Sequence, residues 1–217
     1  MPGFEEAVER THEQKLLRKV GMHLVLVEGR PLTEKIRKCP RFCDDNGNFH
    51  LQEKGIPRLS NSELEAVALE ICAQIDRCRR SGLPLTHLDS HHHIHHSLAL
   101  LGVLSRVVKE KRIPFVRIRG LTSSTTMVKI ASTFLYNARL RTSGVAGTEY
   151  FGDVRSFLQL RQKLNSGRRL RSFEIMIHPV FDTNGELIDA MDRQPLDRWV
   201  TQVDGYKSAI SYGQIQS

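Results

Sequence analysis

Aromatic residues are scarce in this chain, 6% of its 217 positions, and that scarcity removes the stacking platforms on which single-stranded nucleic acids are usually held. Apolar runs are short too. None approaches the roughly 20 residues that a bilayer-spanning helix needs, so a membrane protein of that kind is not expected. The opening residues, MPGFEEAVER, are acidic rather than basic-then-apolar, which points away from a secretory leader and towards the cytoplasm. Only four cysteines occur, Cys39, Cys43, Cys72 and Cys78. Their spacing matches four-cysteine zinc sites poorly, and buried free thiols are the better expectation. Repeats and low-complexity linkers are missing, and the length suits a single domain, residues 1–217.

Charge is present in excess of one sign. Lys and Arg outnumber Asp and Glu 32 to 24, a formal net charge of +8, which raises nucleic acid as a partner. The basic residues are dispersed, however, apart from RCRR (77–80) and SGRRLR (166–171). Both runs fall at or just beyond expected helix ends, where cations favour the helix dipole. A nucleic-acid partner is therefore not expected.

Helical and strand patterns alternate along the chain. Residues 4–19 have helical periodicity, and GMHLVLVEG (21–29) reads as a buried strand. Residues 33–60 lack a clean period and form a long loop, with DDNGN as a turn. A helix capped by Ser60 or Asn61 buries Leu64, Val67, Ala68, Ile71, Cys72 and Ile75 and stops at Gly82. LTHLDS enters as a strand, followed by a helix over 97–111, a strand over 113–120 and a helix over 123–141. GVAGTEYFG is strand or loop, 153–165 helix, 173–181 strand, and a last helix lies near 196–211. Such alternation predicts an α/β fold with a parallel sheet, open or closed into a barrel, and a ligand at the carboxyl ends of its strands.

THLDSHHHIHH (86–96) holds six of the ten histidines beside one carboxylate. If the strand persists through it, His87, Asp89, His91 and His93 share one face and His92 the other, with His95 and His96 in the following turn. Neutral imidazoles with a carboxylate suit a divalent metal or a proton-transfer site. A solvated polar run is the competing reading. His23 inside one expected strand and His178 at the end of another, before Pro179, tip the balance towards a site.

VGMHLVLVEGRPL (20–32), THLDSHHHIH (86–95) and IHPVF (177–181) resemble three successive motifs of the YdjC-like carbohydrate deacetylases, the chitooligosaccharide deacetylase family. The resemblance implies a distorted (β/α) barrel-like fold related to polysaccharide deacetylases. It also implies hydrolytic removal of N-acetyl groups from oligosaccharides with the help of a divalent metal, magnesium first and zinc second. The family's metal-ligating histidines fall on His23 and His91. His178 becomes the candidate general acid, while His87, Asp89, His93 and His95 are candidates for holding the ligands or the sugar. An acetylated oligosaccharide is the implied partner, with a homodimer as a further option.

One motif of the family is absent. No ADDFG, the stretch that carries the third ligand and the base, occurs in these residues, and Asp44–Asp45 stands in the wrong context. The resemblance aligns Met1 inside the family pattern, so the barrel is expected to be N-terminally incomplete, lacking its first strands and a helix. A non-catalytic metal- or sugar-binding remnant and a hydrolase of another bond are the competing functions.

Overall fold

The computed structural model describes residues 3–51, 56, 58–120, 127–164, 170–203 and 209–215. Its class is α/β, and the chain divides into two compact units. The first comprises Met1–Arg117, Phe134–Gly147 and Ser211–Ser217; the second comprises Ile118–Thr133 and Thr148–Ile210.

In the first unit, β1 (Met22–Leu24) and β2 (Leu88–Ser90) pair in parallel, with His23 opposite Asp89. The parallel array continues through single bridges, Leu88 to Val116 and Phe115 to Ala146. Neighbouring segments thus follow sequence order, as in a progressively wound βα array. Helices α1 (Phe4–Glu13), α2 (Glu34–Arg37), α3 (Asn61–Arg80) and α4 (Leu98–Glu110) join and cover these segments. So does the latter part of α5 (Met127–Thr142).

The strands are much shorter than the apolar runs that announced them. After Leu24 the chain leaves the ladder, yet Val25, Leu26 and Val27 stay buried. Val25 is bonded instead by a side chain: its N–H donates to Gln74 Oε1 at 3.1 Å and its carbonyl accepts Gln74 Nε2–H at 2.8 Å. A primary amide has the same donor–acceptor pair as a backbone neighbour, so Gln74 covers the outer edge of this segment. The expected helix over 4–19 ends at Glu13, because Lys15 adopts a left-handed conformation (φ 55°). The loop 33–60 contains the short α2, and the strand over 113–120 is reduced to the bridges at Phe115 and Val116.

α3 forms where its sequence said it would. Ser60 caps it in a reciprocal capping box with Glu63, and Val67, Ile71 and Ile75 are fully buried against the core. Its inward face also carries a carboxylate, Glu70, with no solvent exposure. Glu70 accepts from the N–H groups of Leu32 (3.0 Å) and Thr33 (2.8 Å), the Thr33 hydroxyl (2.8 Å) and Gln74 Nε2 (2.9 Å). These bonds offset the desolvation of the charge and pin the loop that leaves β1.

The second unit contains β3 (Tyr150–Gly152) parallel to β4 (Phe173–Ile175) and the antiparallel pair β5 (Pro179–Phe181) and β6 (Leu187–Asp189). Val154 and Phe157 of α6 (Val154–Lys163) pack with Trp199 of α7 (Leu196–Thr201) and Val203. The strand expected over 173–181 is thus two strands in two different pairings, and the last helix ends at Thr201 rather than near 211. Among the described residues no helix is long and apolar enough to cross a membrane.

Replacing Glu70 by Leu takes the acceptor from the Leu32 and Thr33 N–H groups and from the Thr33 hydroxyl. Urea unfolding is expected to show a stability loss of roughly 2–5 kcal/mol, with Glu70→Gln costing clearly less because one acceptor oxygen remains.

Candidate functional site

The histidine-rich stretch does not continue as a strand. β2 stops at Ser90, and both His92 and His93 take left-handed backbone conformations (φ 51° each) before a 3₁₀ turn leads into α4. Two consecutive side-chain-bearing residues in that region cost roughly 1–2 kcal/mol apiece, strain of the sort that structures retain at functional positions. The alternation expected beyond residue 90 is therefore broken. His91, the first residue past β2, still lies over the neighbouring strand.

Its partner there is His23. The two ring centroids are 5.6 Å apart and the rings meet edge to face at 68°. His23 Nδ1 lies 2.8 Å from Asp89 Oδ1. A carboxylate only accepts, so a neutral His23 carries its proton on Nδ1 and keeps a lone pair on Nε2. His91 Nε2 lies 3.2 Å from Glu28 Oε1, so an acidic side chain faces this ring as well. The second oxygen of Asp89 binds Arg117 Nη1 at 2.6 Å. Burial by itself would raise the Asp89 pKa, but the His23 hydrogen bond and the nearby Arg117, His23 and His87 charges outweigh it and hold the carboxyl below its usual range.

The remaining candidates divide by environment. His87 stacks on Tyr212 (centroids 4.3 Å, 26°) and its Nδ1 lies 3.0 Å from the Thr86 hydroxyl. Its ring also lies so close to Gly21 that a Cβ there would come within 2.4 Å of it, the physical reason for glycine before MHL. Burial, aided by Arg117, lowers the His87 pKa despite Asp89. His93 stacks with His96 at 5.3 Å.

His95 is fully enclosed. Nε2 donates to the Arg117 carbonyl at 3.2 Å, Nδ1 accepts from the Ser90 hydroxyl, and the His95 carbonyl accepts from Tyr136 at 2.5 Å. A contact between His95 and a sugar is ruled out by this burial; the residue supports its neighbours. Desolvation, with His96 and Arg117 adding to it, pushes its pKa well below the ordinary imidazole range.

His178 belongs to the second unit and His23 and His91 to the first. It lies between β4 and β5, exposed, and not at the end of a continuous strand. Its backbone N–H donates to Asp189 Oδ2 at 2.7 Å and its carbonyl accepts from Ala190 at 2.8 Å. Asp189 also accepts from the N–H groups of Met191 and Asp192. Against the upward push of burial, those backbone donors keep its pKa below normal.

Glu28 and Arg117 were missed from sequence. Arg117 had a signal: a charged residue inside the apolar run IPFVRI demands an anionic partner when buried. Among the described residues, no group of three His, Cys, Asp or Glu side chains is arranged to hold a metal ion. The cysteines are free, and burial raises the Cys43 thiol to about 11, which disfavours the thiolate a zinc site would need. Of the basic runs, Arg77 pairs with Glu5 at 2.5 Å and Arg79 bonds the Lys111 carbonyl, while residues 166–169 lie outside the described residues.

The family model described as YdjC-like protein matches residues 1–208. The chain is a YdjC-like protein. It is 31% identical to a carbohydrate deacetylase of Brevibacillus brevis over 83% of its own length and 67% of that protein's. It is 28% identical to a carbohydrate deacetylase of Geobacillus stearothermophilus over 83% of its own length and 65% of that protein's. The chain thus spans about two thirds of the length of these curated relatives. Among solved structures it is similar to an Enterococcus faecalis V583 protein named for cellobiose-phosphate cleavage. That similarity has a TM-score of 0.61 and 25% identity, over 84% of this chain and 68% of that one. The segments GMHL and HLDSHHH, likened to that family from sequence, meet at the His23–His91 pair.

Because His95 is held neutral in the folded state and charges freely once unfolded, protons favour the unfolded state below about pH 6.5. Its contribution is complete above that pH and declines as pH falls towards the depressed folded value. Chemical denaturation between pH 7.5 and 5 is expected to show this decline, and His95→Gln is expected to flatten it.

Proposed function

We propose that this YdjC-like chain acts as a carbohydrate deacetylase, a metal-dependent hydrolase that removes N-acetyl groups from oligosaccharides such as chitooligosaccharides. The observation that carries the reading is the meeting of His23 and His91 from separate elements, with His23 Nδ1 held against Asp89. The names of the relatives agree with it. The donor set fits a divalent cation in part: two imidazoles, one of them oriented by a carboxylate, are ordinary ligands, but hard magnesium prefers oxygen. We assign His23 and His91 as the ligands that would hold it. Such a cation, when bound, polarises the acetyl carbonyl and lowers the pKa of water.

The chain's own groups supply the rest. Asp89 orients His23, and Arg117 neutralises Asp89. His178 is proposed as general acid to the leaving amine, a role open to an imidazole whose backbone Asp189 holds in place. A cytoplasmic setting suits the four free thiols. A second reading, hydrolysis of a phosphorylated disaccharide, is favoured by the name of the similar solved structure.

Incubation with an acetylated chitooligosaccharide and with a disaccharide phosphate separates the two readings. Slow acetate release and no phosphate release is expected; phosphate alone would transfer the assignment to the second. With His23 and His91 as its assigned ligands, the chain is expected to bind magnesium weakly in isothermal titration, and a tight stoichiometric site would overturn that expectation. His178→Ala is expected to lower kcat by roughly 100-fold or more while leaving metal affinity unchanged.

A further inference from the structure

Basic residues that are dispersed in sequence gather in the first unit. Four helices there run directly into the parallel array: α1 into β1, α3 into β2, α4 into the bridge residues Phe115 and Val116, and α5 into Ala146. Parallel pairing therefore sets the four helix C-termini at one end of the array, opposite the end at which β2 delivers His91. The last turns of these helices and the links that follow are residues 10–21, 77–87, 107–114 and 139–145. They hold 12 of the chain's 32 Lys and Arg but 2 of its 24 Asp and Glu. The other residues carry 20 and 22, so the whole positive excess sits at this end. The turns also touch one another. His12 Nε2 lies 3.3 Å from the Ser81 carbonyl, Arg79 donates to the Lys111 carbonyl, and Lys111 Nζ reaches Asp76 at 2.7 Å.

A cation near a helix C-terminus answers the helix dipole, but one charge meets that need and three within a turn repel each other. The backbone gives a sharper sign. α1, α3 and α4 end in the same turn, in which the N–H groups of Leu16, Leu83 and Ile113 donate to the carbonyl five residues back. The residue before each donor is left-handed: Gly82 (φ 79°) after α3, but Lys15 (φ 55°) after α1 and Arg112 (φ 50°) after α4. Glycine takes that conformation without strain, and residues with side chains do not. Charge is thus kept at two positions where local stability favours glycine. Lys15, Arg18, Lys19, Arg80, Lys109 and Arg112 are exposed and, among the described residues, in no ion pair.

We propose that this end of the first unit is a docking face for an anionic lipid surface. Its cations come from four neighbouring elements, and packed helix axes lie roughly 8–10 Å apart, so the charge is spread over an area. A flat leaflet meets all four turns at once, whereas the phosphates of a nucleic-acid duplex curve away from all but a strip. Among the described residues, none of the exposed large apolar side chains falls in these segments. The contact is therefore made without insertion into the bilayer and is held by charge alone, which makes it reversible and weakened by salt. Docked in this way, the end of the array that carries His91 faces solution.

The test is flotation of the full chain with vesicles of phosphatidylcholine alone and with vesicles of equal parts phosphatidylcholine and phosphatidylglycerol. Binding to the anionic vesicles only is expected, with release at about 1 M salt, where surface charges are screened within a few ångströms. Lys15→Gly combined with Arg112→Gly is expected to weaken that binding roughly tenfold, and glycine suits both left-handed turns, so the fold is retained. Lys38→Gln combined with Arg58→Gln removes the same charge from the loop that follows β1 and is expected to bind as the unaltered chain does. Equal binding to both vesicles, or to neither, overturns the proposal. Undiminished binding by the glycine pair overturns it too and leaves those cations to the helix dipole alone. An equal loss in the Lys38 and Arg58 pair reduces the effect to net charge and is equally fatal. Duplex DNA that strips the chain from anionic vesicles would reassign the face to a dissolved polyanion. If the glycine pair does not fold, Arg18→Gln combined with Arg80→Gln is read in the same way.

Discussion

A buried carboxylate shared between a cation and an imidazole governs this part of the molecule. Asp89 lies on a strand with almost no access to water, where an unpaired charge costs several kcal/mol. Its stability there depends on both neighbours, Arg117 on one oxygen and His23 on the other. The parallel pairing of β1 with β2 sets His23 opposite Asp89, and the Leu88–Val116 bridge brings the next segment alongside. Three stretches distant in sequence are thereby made to agree on one geometry.

Seen from that carboxylate, the histidines stop being a uniform group. His91 turns towards His23, His87 wedges against Gly21 and Tyr212, and His95 is sealed inside with both ring nitrogens satisfied. One residue type thus does at least three jobs within a few positions, because imidazole can donate, accept, stack or ligate according to its surroundings. The left-handed pair His92–His93 makes the division workable by turning the chain sharply after β2.

Much of this was legible in the chain, and the failures have definite causes. The capping box at Ser60 and the apolar face of α3 were local signals and held, as did the helix that begins after Ser97. Strand lengths were overestimated because VLV at 25–27 is buried without ladder pairing and the run at 113–118 pairs only around Phe115 and Val116; burial and ladder pairing have the same sequence signature. His23 and His91 were paired by the family resemblance of their motifs, and Asp89 was a candidate for holding a ligand, whereas its cation, Arg117, was hidden because it comes from another segment. The left-handed turn had no warning, since histidine carries none of glycine's usual meaning. At 173–181 a continuous apolar pattern concealed a change of partner between β4 and β5.

The packing of Gly21, His87 and Tyr212 has an evolutionary corollary. Gly213 adds to it, since a Cβ there would strike the Arg18 carbonyl at 2.2 Å. Positions near 20, 87 and 212 therefore share one fixed allotment of space. A lineage that enlarges the residue before MHL must shrink the aromatic pair or shift the 211–215 segment in the same step. Substitutions at these three places should travel together across descendants, although none of them needs to meet a substrate.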